Sequence, residues 1–328
     1  MRAVVLTDHG DADVLSVVTV PDPEPGPEEV LVAVRATALN RADLLQRMGR
    51  YPEPGPPRAY EIPGMELAGT VVARGVRVSD WNIGDRVMGI VAGGAYAELI
   101  VVHERQLLPV PNAVGVADAA AIPEVFITAW DAMVVQGGLT PGRSVLVHAG
   151  ASGVGTAAIQ VAKALGARVI TTASTTKVDA CRALGADVVV DYTQDDFVEA
   201  AWESTRGRGV DVVIDLVGGD YLAGNVRALR TGGTIVQVGV LAGGRAQIDL
   251  GALIPKRAHL VGTVLRARPL EEKIAVTQRF RTEVLPWFGS GRLRPVIDRR
   301  FPLAAIASAH RYMETNANVG KILVDVGD

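Results

Sequence analysis

The chain has one cysteine, no long apolar run and no marked excess of charge of either sign. A single thiol, Cys181, excludes an intramolecular disulfide and any metal site built from several cysteines. It falls in a helix-like stretch, residues 178–184, where a small buried side chain is the expected role. Because there is no apolar stretch of transmembrane length and no secretion signal, we expect a cytoplasmic protein that does not cross a membrane.

The near balance of charge, 33 basic against 36 acidic residues, argues against a dedicated nucleic-acid surface. The 328 residues are many for one hydrophobic core, and a hydrophobic share of 48% is ample for two. We therefore expect two domains, and a small molecule rather than a nucleic acid as the partner.

Residues 144–166 predict a strand, a tight turn of small residues and a helix. The turn, residues 150–155, reads Gly-Ala-Ser-Gly-Val-Gly, with Ser152 where a dinucleotide-binding turn usually has its middle glycine. Backbone N–H groups at such a helix N-terminus favour a pyrophosphate, although the pattern alone is equally typical of an ordinary tight turn. A second strand, residues 167–172, completes a βαβ unit and favours the dinucleotide.

The residues after that second strand indicate which nicotinamide cofactor binds. Residues 172–177 read Thr-Ala-Ser-Thr-Thr-Lys, and no acid appears before Asp179 to accept a hydrogen bond from a ribose 2′-hydroxyl. Ser174 and Lys177 can donate to a 2′-phosphate, so we predict NADPH rather than NADH. A solvated lysine is the alternative for Lys177, and the missing acid carries more of the argument.

The strand pattern changes along the chain. Short strand-like runs at residues 3–6, 30–38, 67–73, 86–91 and 96–102 predict a partly open barrel or sandwich. From residue 144, strands alternate with helices, which predicts an α/β fold with a doubly wound parallel sheet. A helix at residues 271–288, another at 304–315 and a strand at 320–326 are expected to return the chain to the first domain.

Short motifs at characteristic positions extend this interpretation over essentially the whole chain. They are Ala-Leu-Asn-Arg-Ala-Asp at 38–43, Ile-Pro-Gly-Met-Glu at 62–66, Trp-Asn-Ile-Gly-Asp-Arg-Val at 81–87, Gly-Ala-Tyr-Ala-Glu at 94–98, Ala-Ile-Pro at 121–123 and Asn-Val-Gly-Lys at 318–321. With the glycine turn, they make the chain resemble the medium-chain dehydrogenase/reductase superfamily, in its zinc-free, zeta-crystallin-like NADPH:quinone oxidoreductase branch. Within that branch it is most similar to the apoptosis-linked quinone oxidoreductases.

The resemblance implies a fold and an assembly. A GroES-like catalytic domain is expected from residues 1–122 and 267–328, around a Rossmann NADPH-binding domain at 123–266. Members of this branch are commonly homodimers or tetramers, so a homo-oligomer is expected.

The resemblance also implies which zinc ligands are missing. Zinc-dependent relatives bind a catalytic metal through a cysteine, a histidine and a later cysteine, and the matching positions here are Asn40, Met65 and Glu124. A neutral amide and a thioether do not build a zinc site of the usual kind. The five histidines show no ligand spacing, so we predict that no metal binds.

The predicted absence of a metal limits the substrates that the protein can reduce. Without a Lewis acid to stabilise a developing alkoxide, acceptors whose reduced form needs little such help are favoured. We therefore predict a flavin-free NADPH:quinone oxidoreductase that works mainly by orienting its reactants. Two alternatives stay open: a reductase of α,β-unsaturated aldehydes and ketones, and a non-catalytic, crystallin-like NADPH-binding protein. One- and two-electron reduction are both open.

The predicted site residues fall into groups along the cofactor. The pyrophosphate turn comprises Gly150, Ser152, Gly153, Val154 and Gly155. Ser174, Lys177 and, by resemblance, Tyr192 are expected around the 2′-phosphate and adenine ribose. The nicotinamide ribose is expected beside Gly239, Val240 and Leu241, which follow a strand. By resemblance alone, Thr128, Leu265 and Asn318 are placed near the nicotinamide.

Two further residues are predicted to contact the reacting groups. Asn40 is either a carboxamide or substrate contact or a capping asparagine. Tyr51 is either a donor to a quinone oxygen or a packing tyrosine. The Pro- and Gly-rich segment at residues 54–57 is predicted to be a loop over the cleft.

Overall fold

The computed structural model describes residues 1–55 and 58–327, so Pro56 and Pro57 of the predicted loop lie outside the described residues. The chain divides into two compact units. We call Met1–Ile127 together with Leu265–Asp328 the terminal unit, and Thr128–Val264 the central unit.

The strands are numbered in chain order. They are β1 Arg2–Leu6, β2 Leu15–Thr19, β3 Glu29–Ala38, β4 Glu66–Arg74, β5 Arg86–Ile90, β6 Leu99–His103, β7 Leu107–Pro109, β8 Ser144–Val147, β9 Arg168–Ala173, β10 Val188–Asp191, β11 Val210–Asp215, β12 Leu229–Gln237, β13 His259–Gly262, β14 Ile297–Pro302 and β15 Lys321–Asp325.

The α-helices are numbered in the same way. They are α1 Arg41–Arg47, α2 Val116–Ala119, α3 Pro123–Trp130, α4 Gly153–Leu165, α5 Val178–Ala183, α6 Phe197–Ser204, α7 Tyr221–Ala228, α8 Leu250–Lys256, α9 Leu270–Glu283, α10 Pro286–Gly289 and α11 Ile306–Glu314. A π-helix, Asp131–Gln136, continues α3. In residues 1–55 and 58–327, no helix has the length and apolarity needed to cross a membrane.

The terminal unit is built on a seven-stranded sheet and a small two-stranded one. The large sheet has the order β14-β15-β3-β4-β5-β7, with β6 also paired to β3. Its pairs are antiparallel except for β14 and β15. Val30, Val32 and Val34 alternate along β3 and are buried in one core, as expected for a sheet with one covered face. Because β15 pairs with β3, Lys321 at the start of β15 comes close to the end of β3.

The central unit is a parallel sheet flanked by helices. Its strand order is β10-β9-β8-β11-β12-β13, and every pair is parallel. This is the 3-2-1-4-5-6 order of a Rossmann fold, in which the strand order reverses between β8 and β11. The predicted doubly wound sheet is therefore confirmed, and ligands are expected beyond the carboxyl ends of these two strands.

The structure differs from the sequence expectations at several element ends. The strand Leu15–Thr19 was not predicted, and the strand expected at 96–102 begins only at Leu99. The helix expected at 271–288 ends at Glu283, and a separate helix starts at Pro286, whose missing N–H prevents a continuous helix. Cys181 is buried in α5, as predicted, and burial raises the pKa of its thiol to about 11.

Candidate functional site

The first part of the candidate site is the glycine turn between β8 and α4. Ser152 is the N-cap of α4, and its hydroxyl accepts a 3.0 Å hydrogen bond from the Gly155 amide. The remaining amides of the first turn, those of Gly153 and Val154, lie where an α-helix offers no intrahelical acceptor. Ser152 therefore replaces the usual glycine with a helix cap and leaves these two N–H groups for an anion.

The two outer glycines of the turn are required by packing. A Cβ on Gly150 would lie 2.0 Å from the Thr171 hydroxyl oxygen, and a Cβ on Gly155 would lie 2.2 Å from the Ala149 carbonyl oxygen. Ala149 itself has a positive φ of 53°, which is uncommon outside glycine. The turn is thus held against β8 and β9 in one conformation, with its amides at the carboxyl edge of the sheet.

A buried hydrogen-bond network supports the turn from below. His148 Nε2 lies 2.7 Å from Asn225 Oδ1, and the Asn225 amide donates a 2.8 Å hydrogen bond to Asp215. His148 Nδ1 lies 3.1 Å from the Thr172 hydroxyl, which also accepts from the Ala149 amide. Because Asn225 Oδ1 can only accept, the network assigns the proton to Nε2 of a neutral imidazole. Burial lowers the pKa of His148, in agreement with the neutral ring.

This network joins the carboxyl ends of three neighbouring strands. The other Asp215 oxygen accepts from the Val217 and Gly218 amides, at 2.7 and 2.9 Å, where the chain leaves β11. His148 was considered above only as one of five histidines without ligand spacing, and its place in this network was not predicted. Its place directly before the glycine turn was the available signal.

The predicted 2′-phosphate residues are brought together by the pairing of β9 and β10. Ala173 pairs with Asp191 in the parallel register, so Ser174 and Tyr192 follow adjacent strand ends. Lys177 ends the short 3-10 helix that follows Ser174, and Tyr192 is half exposed. Hydrogen bonds from Thr175 and Thr193 lower the pKa of the Asp191 carboxyl.

The residues predicted near the nicotinamide ribose follow β12. The Gly239 amide donates to the Asp215 carbonyl, and the Leu241 amide donates to the Leu216 carbonyl, so this segment returns to the end of β11. Val240 and Leu241 are 50% and 55% exposed, an unusual exposure for apolar residues at a sheet edge. Thr128 is buried, and its hydroxyl has no hydrogen-bond partner within the described ranges. Such an unpaired buried hydroxyl fits a ligand that supplies the partner.

The terminal unit contains a second polar cluster, centred on an ion pair. The Lys321 ammonium lies 2.7 Å from Glu66 Oε1, and both side chains are almost fully buried. The same ammonium donates to Asn40 Oδ1 and to the Leu39 carbonyl, each at 2.7 Å. The Asn40 amide in turn donates to Glu66 Oε1 at 2.9 Å. Asn40 is the N-cap of α1, one of its two predicted roles, and it also bridges the two charges, which was not predicted.

Glu124, near the start of α3, lies against this pair. Its backbone amide donates a 2.9 Å hydrogen bond to the second oxygen of Glu66. Burial and the negative charge of Glu66 raise the pKa of the Glu124 carboxyl to about 8, and Lys321 offsets only part of this. The cluster thus holds one ionised carboxylate and, at neutral pH, one protonated carboxyl.

A third carboxyl, Asp43, lies deeper in the same unit. It accepts from the Asn40 backbone N–H at 2.8 Å and from the Tyr96 hydroxyl at 3.0 Å. Burial raises its pKa to about 6 despite these hydrogen bonds. His310 lies 3.4 Å from the Tyr96 hydroxyl, and burial together with the charge of Arg47 lowers its pKa to about 3.

Tyr51 and Arg266 form the other side of the cluster. The Arg266 guanidinium lies 5.1 Å from the centre of the Tyr51 ring and donates to Gln46 Oε1 at 2.6 Å. The tyrosine is partly exposed. Burial raises the pKa of its hydroxyl, Arg266 lowers this pKa and Glu124 raises it, and the net shift is upward. Arg266 was not predicted, because nothing local in the sequence marks it.

The remaining predicted residues of the terminal unit are less informative. Leu265 is buried, and the Asn318 side chain donates to the Gly320 carbonyl at 2.8 Å. The structure therefore gathers the predicted phosphate and ribose residues at one sheet edge of the central unit. Asn40, Tyr51, Leu265 and Asn318 belong to the terminal unit.

The positions that match zinc ligands in the resembling family do not fit a zinc ion. Both ends of the Asn40 amide are hydrogen-bonded, and the Lys321 ammonium lies where it would repel a divalent cation. Met65 offers only a buried thioether. No group of three or more histidine, cysteine or acidic side chains in the described part of the chain could hold a metal ion.

Two known protein families match parts of this chain. Residues 26–112 match the alcohol dehydrogenase GroES-like domain, and residues 184–324 match the zinc-binding dehydrogenase family. The rat synaptic vesicle membrane protein VAT-1 homolog is 34% identical over 345 residues, covering 100% of this chain and 84% of the relative. The chain belongs to the medium-chain dehydrogenase/reductase superfamily. This confirms the GroES-like and Rossmann fold and makes the protein an oxidoreductase of that superfamily.

Other members of the superfamily differ in cofactor and substrate. The chloroplastic NADPH-dependent alkenal/one oxidoreductase of Arabidopsis thaliana is 32% identical, over 99% of this chain and 79% of its own. The structure of Escherichia coli quinone oxidoreductase complexed with NADPH is 29% identical with a TM-score of 0.88, over 99% and 100% of the two chains. That of an NAD-dependent alcohol dehydrogenase is 34% identical with a TM-score of 0.89, over 100% of both.

Proposed function

We propose that the protein is a zinc-independent, flavin-free NADPH:quinone oxidoreductase. The observation that carries the proposal is the Asn40, Glu66 and Lys321 cluster, whose ammonium lies beside positions that match zinc ligands in the zinc-dependent relatives. A site with this cluster has no Lewis acid to stabilise an alkoxide, so it suits an acceptor whose reduced form is a delocalised anion. The similarity to a quinone oxidoreductase complexed with NADPH supports the same conclusion.

The cofactor is assigned to the carboxyl edge of the central sheet. When bound, NADPH supplies the hydride. The residues proposed to hold its phosphates and riboses are Gly150, Ser152, Gly153, Val154, Gly155, Ser174, Lys177, Tyr192, Gly239, Val240 and Leu241. Thr128, Leu265 and Asn318 are proposed to lie beside the nicotinamide.

The acceptor contacts are assigned to the terminal unit. Tyr51 is partly exposed, and its hydroxyl can donate to an acceptor oxygen next to the positive charge of Arg266. Asn40 is held in place by Glu66 and Lys321, and we propose that it contacts the carboxamide or the acceptor.

Substitution of Lys177 tests the choice of cofactor. Lys177→Ala should raise KM for NADPH by about 10-fold and leave KM for NADH nearly unchanged, because only the former carries a 2′-phosphate. Lys163→Ala is the matched control, since Lys163 lies in the last turn of α4 and pairs with Asp187. Equal effects of Lys177→Ala on both cofactors would exclude this assignment.

A small acceptor panel separates the candidate reactions. Turnover of NADPH with a naphthoquinone or ortho-quinone, and not with a conjugated enal, supports quinone reduction. The similarity to an alkenal/one oxidoreductase favours the second candidate, reduction of α,β-unsaturated carbonyls, which the opposite result would support. Saturable NADPH binding with no turnover would indicate the non-catalytic alternative.

We also propose a homo-oligomer, a dimer or tetramer. β13 is an outer strand of the central sheet, and apolar side chains on β13 and on α8 are exposed, namely Leu260, Leu250 and Ile254. An unpaired strand edge of this kind can pair with a second copy of the chain. Light scattering at several concentrations measures the mass.

Cytoplasmic location remains a prediction from the sequence.

A further inference from the structure

The carboxyl groups around Lys321 outnumber the cations that contact them. Glu66 receives the ammonium of Lys321 and hydrogen bonds from the Asn40 side chain and the Glu124 backbone. The charged and titratable groups that act on the Glu124 carboxyl are Glu66 on β4, Lys321 on β15, Asp43 on α1 and Arg266 after β13. Glu124 also raises the pKa of the Tyr51 hydroxyl.

None of the nearby cations is free to bind the Glu124 carboxylate directly. The Lys321 ammonium is used by Glu66, Asn40 and the Leu39 carbonyl. Arg266 donates to Gln46 and to the Ala92 and Tyr51 carbonyls. Within residues 1–55 and 58–327, the Glu124 side chain has no ion-pair partner. A carboxyl that burial desolvates, beside an ionised carboxylate and without its own cation, keeps its proton.

Glu124 also differs from its neighbours in exposure. Glu66 and Asp43 are fully buried, whereas Glu124 is partly exposed at the start of α3. A proton on Glu124 can therefore leave to a bound molecule and be replaced from water, which is not the case for a fully buried acid.

We propose that Glu124 is the proton donor of the reaction, kept protonated by its burial and by the neighbouring Glu66 carboxylate, which Lys321 and Asn40 hold in position. This rests on the proposed reduction by NADPH. The hydride adds two electrons and one hydrogen nucleus to the quinone or enone and leaves an anion. The Glu124 O–H bond then breaks, the proton forms an O–H or C–H bond on that anion, and water reprotonates Glu124. In the net reaction, NADPH, one proton and the acceptor are converted to NADP⁺ and an acceptor that carries two more hydrogen atoms.

The raised pKa of Glu124, about 8, gives the direction of the pH dependence. Wild-type kcat should be constant at neutral pH and fall as pH rises through this value. Glu124→Gln keeps the size and neutrality of the protonated acid but has no acidic proton. It should lower kcat by about 10-fold or more and abolish the alkaline fall, with KM for NADPH unchanged. Glu124→Asp should keep the alkaline fall, and Glu24→Gln, an exposed glutamate of the same unit, should behave as wild type.

A measurement without cofactor tests the proton itself. The folded protein holds the Glu124 proton where the unfolded chain has released it, so wild type should lose stability relative to Glu124→Gln as pH rises from about 5 to about 8. Urea unfolding of both proteins over this range measures the difference, and an infrared band of a protonated carboxyl should disappear in the variant.

Two results would overturn the proposal in distinguishable ways. If wild type oxidises NADPH but Glu124→Gln has the same kcat and the same pH profile, or the stability difference does not depend on pH, Glu124 is not the donor. If neither a quinone nor a conjugated enal supports NADPH oxidation by wild type, the proposed function is wrong, and the proposed role of Glu124 as donor is wrong with it.

Discussion

The terminal and central units satisfy their buried polar side chains in different ways. In the terminal unit, formal charges meet: Lys321 pairs with Glu66, and Asn40 bridges them. In the central unit, His148 and Asn225 are neutral groups that link Asp215 to Thr172, and backbone amides complete the network. A cluster of paired charges responds to pH and to the loss of any one partner, whereas a network in which neutral groups hold a single carboxylate mainly fixes geometry. We infer that the titratable groups of the terminal unit take part in proton transfer and that the buried network of the central unit fixes the conformation of the glycine turn.

The largest expected effect comes from breaking the ion pair. Lys321→Met leaves Glu66 buried without its cation and should lower the free energy of unfolding by about 3–5 kcal/mol in urea titrations at neutral pH. Lys163→Met is the control, because it breaks a partly exposed pair worth about 0–1 kcal/mol. Adding Glu66→Gln to Lys321→Met should recover part of the loss. A loss no larger than that of the control would show that charge pairing does not distinguish the terminal unit.

The corresponding change in the central unit is steric. Gly155→Ala places a Cβ against the Ala149 carbonyl, so we expect a loss of about 1–3 kcal/mol and weaker NADPH binding, measured by urea unfolding and fluorescence titration. Gly262→Ala, where nothing lies within 4 Å of the added atom, is the matched control. If both variants bind NADPH equally, the turn does not hold the cofactor.

The last expected effect appears only below neutral pH and concerns a single histidine of the terminal unit. The pKa of His310 is lowered from 6.5 to about 3, so its neutral form stabilises the fold above 6.5 and this stability is lost as pH falls toward 3. His310→Leu should therefore reduce the pH dependence of unfolding between these values, by at most about 1.4 kcal/mol per pH unit. An unchanged dependence would mean that other groups cause the acid sensitivity.

The same contrast explains what the sequence could predict. The glycine turn and the alternating strands and helices depend on neighbouring residues, so the parallel sheet was predicted correctly. The tight turn at residues 150–155 was also predicted from the spacing of its small residues, whereas its role in binding the cofactor stays a prediction. The bridge from Lys321 to Asn40 spans 281 residues and exists only because β15 pairs with β3. Arg266 and Glu66 were missed as site residues for the same reason, since no local pattern records which distant charges meet.

Burial of the only cysteine protects the protein from alkylation by electrophiles. Quinones and conjugated enals, the acceptors we propose, are electrophiles that add to thiolates. Cys181 is fully inaccessible in α5, and its raised pKa keeps it as the unreactive thiol at physiological pH. The protein thus presents no cysteine nucleophile to the compounds it is proposed to consume, and it should withstand alkylation at concentrations of acceptor that inactivate enzymes with exposed thiols.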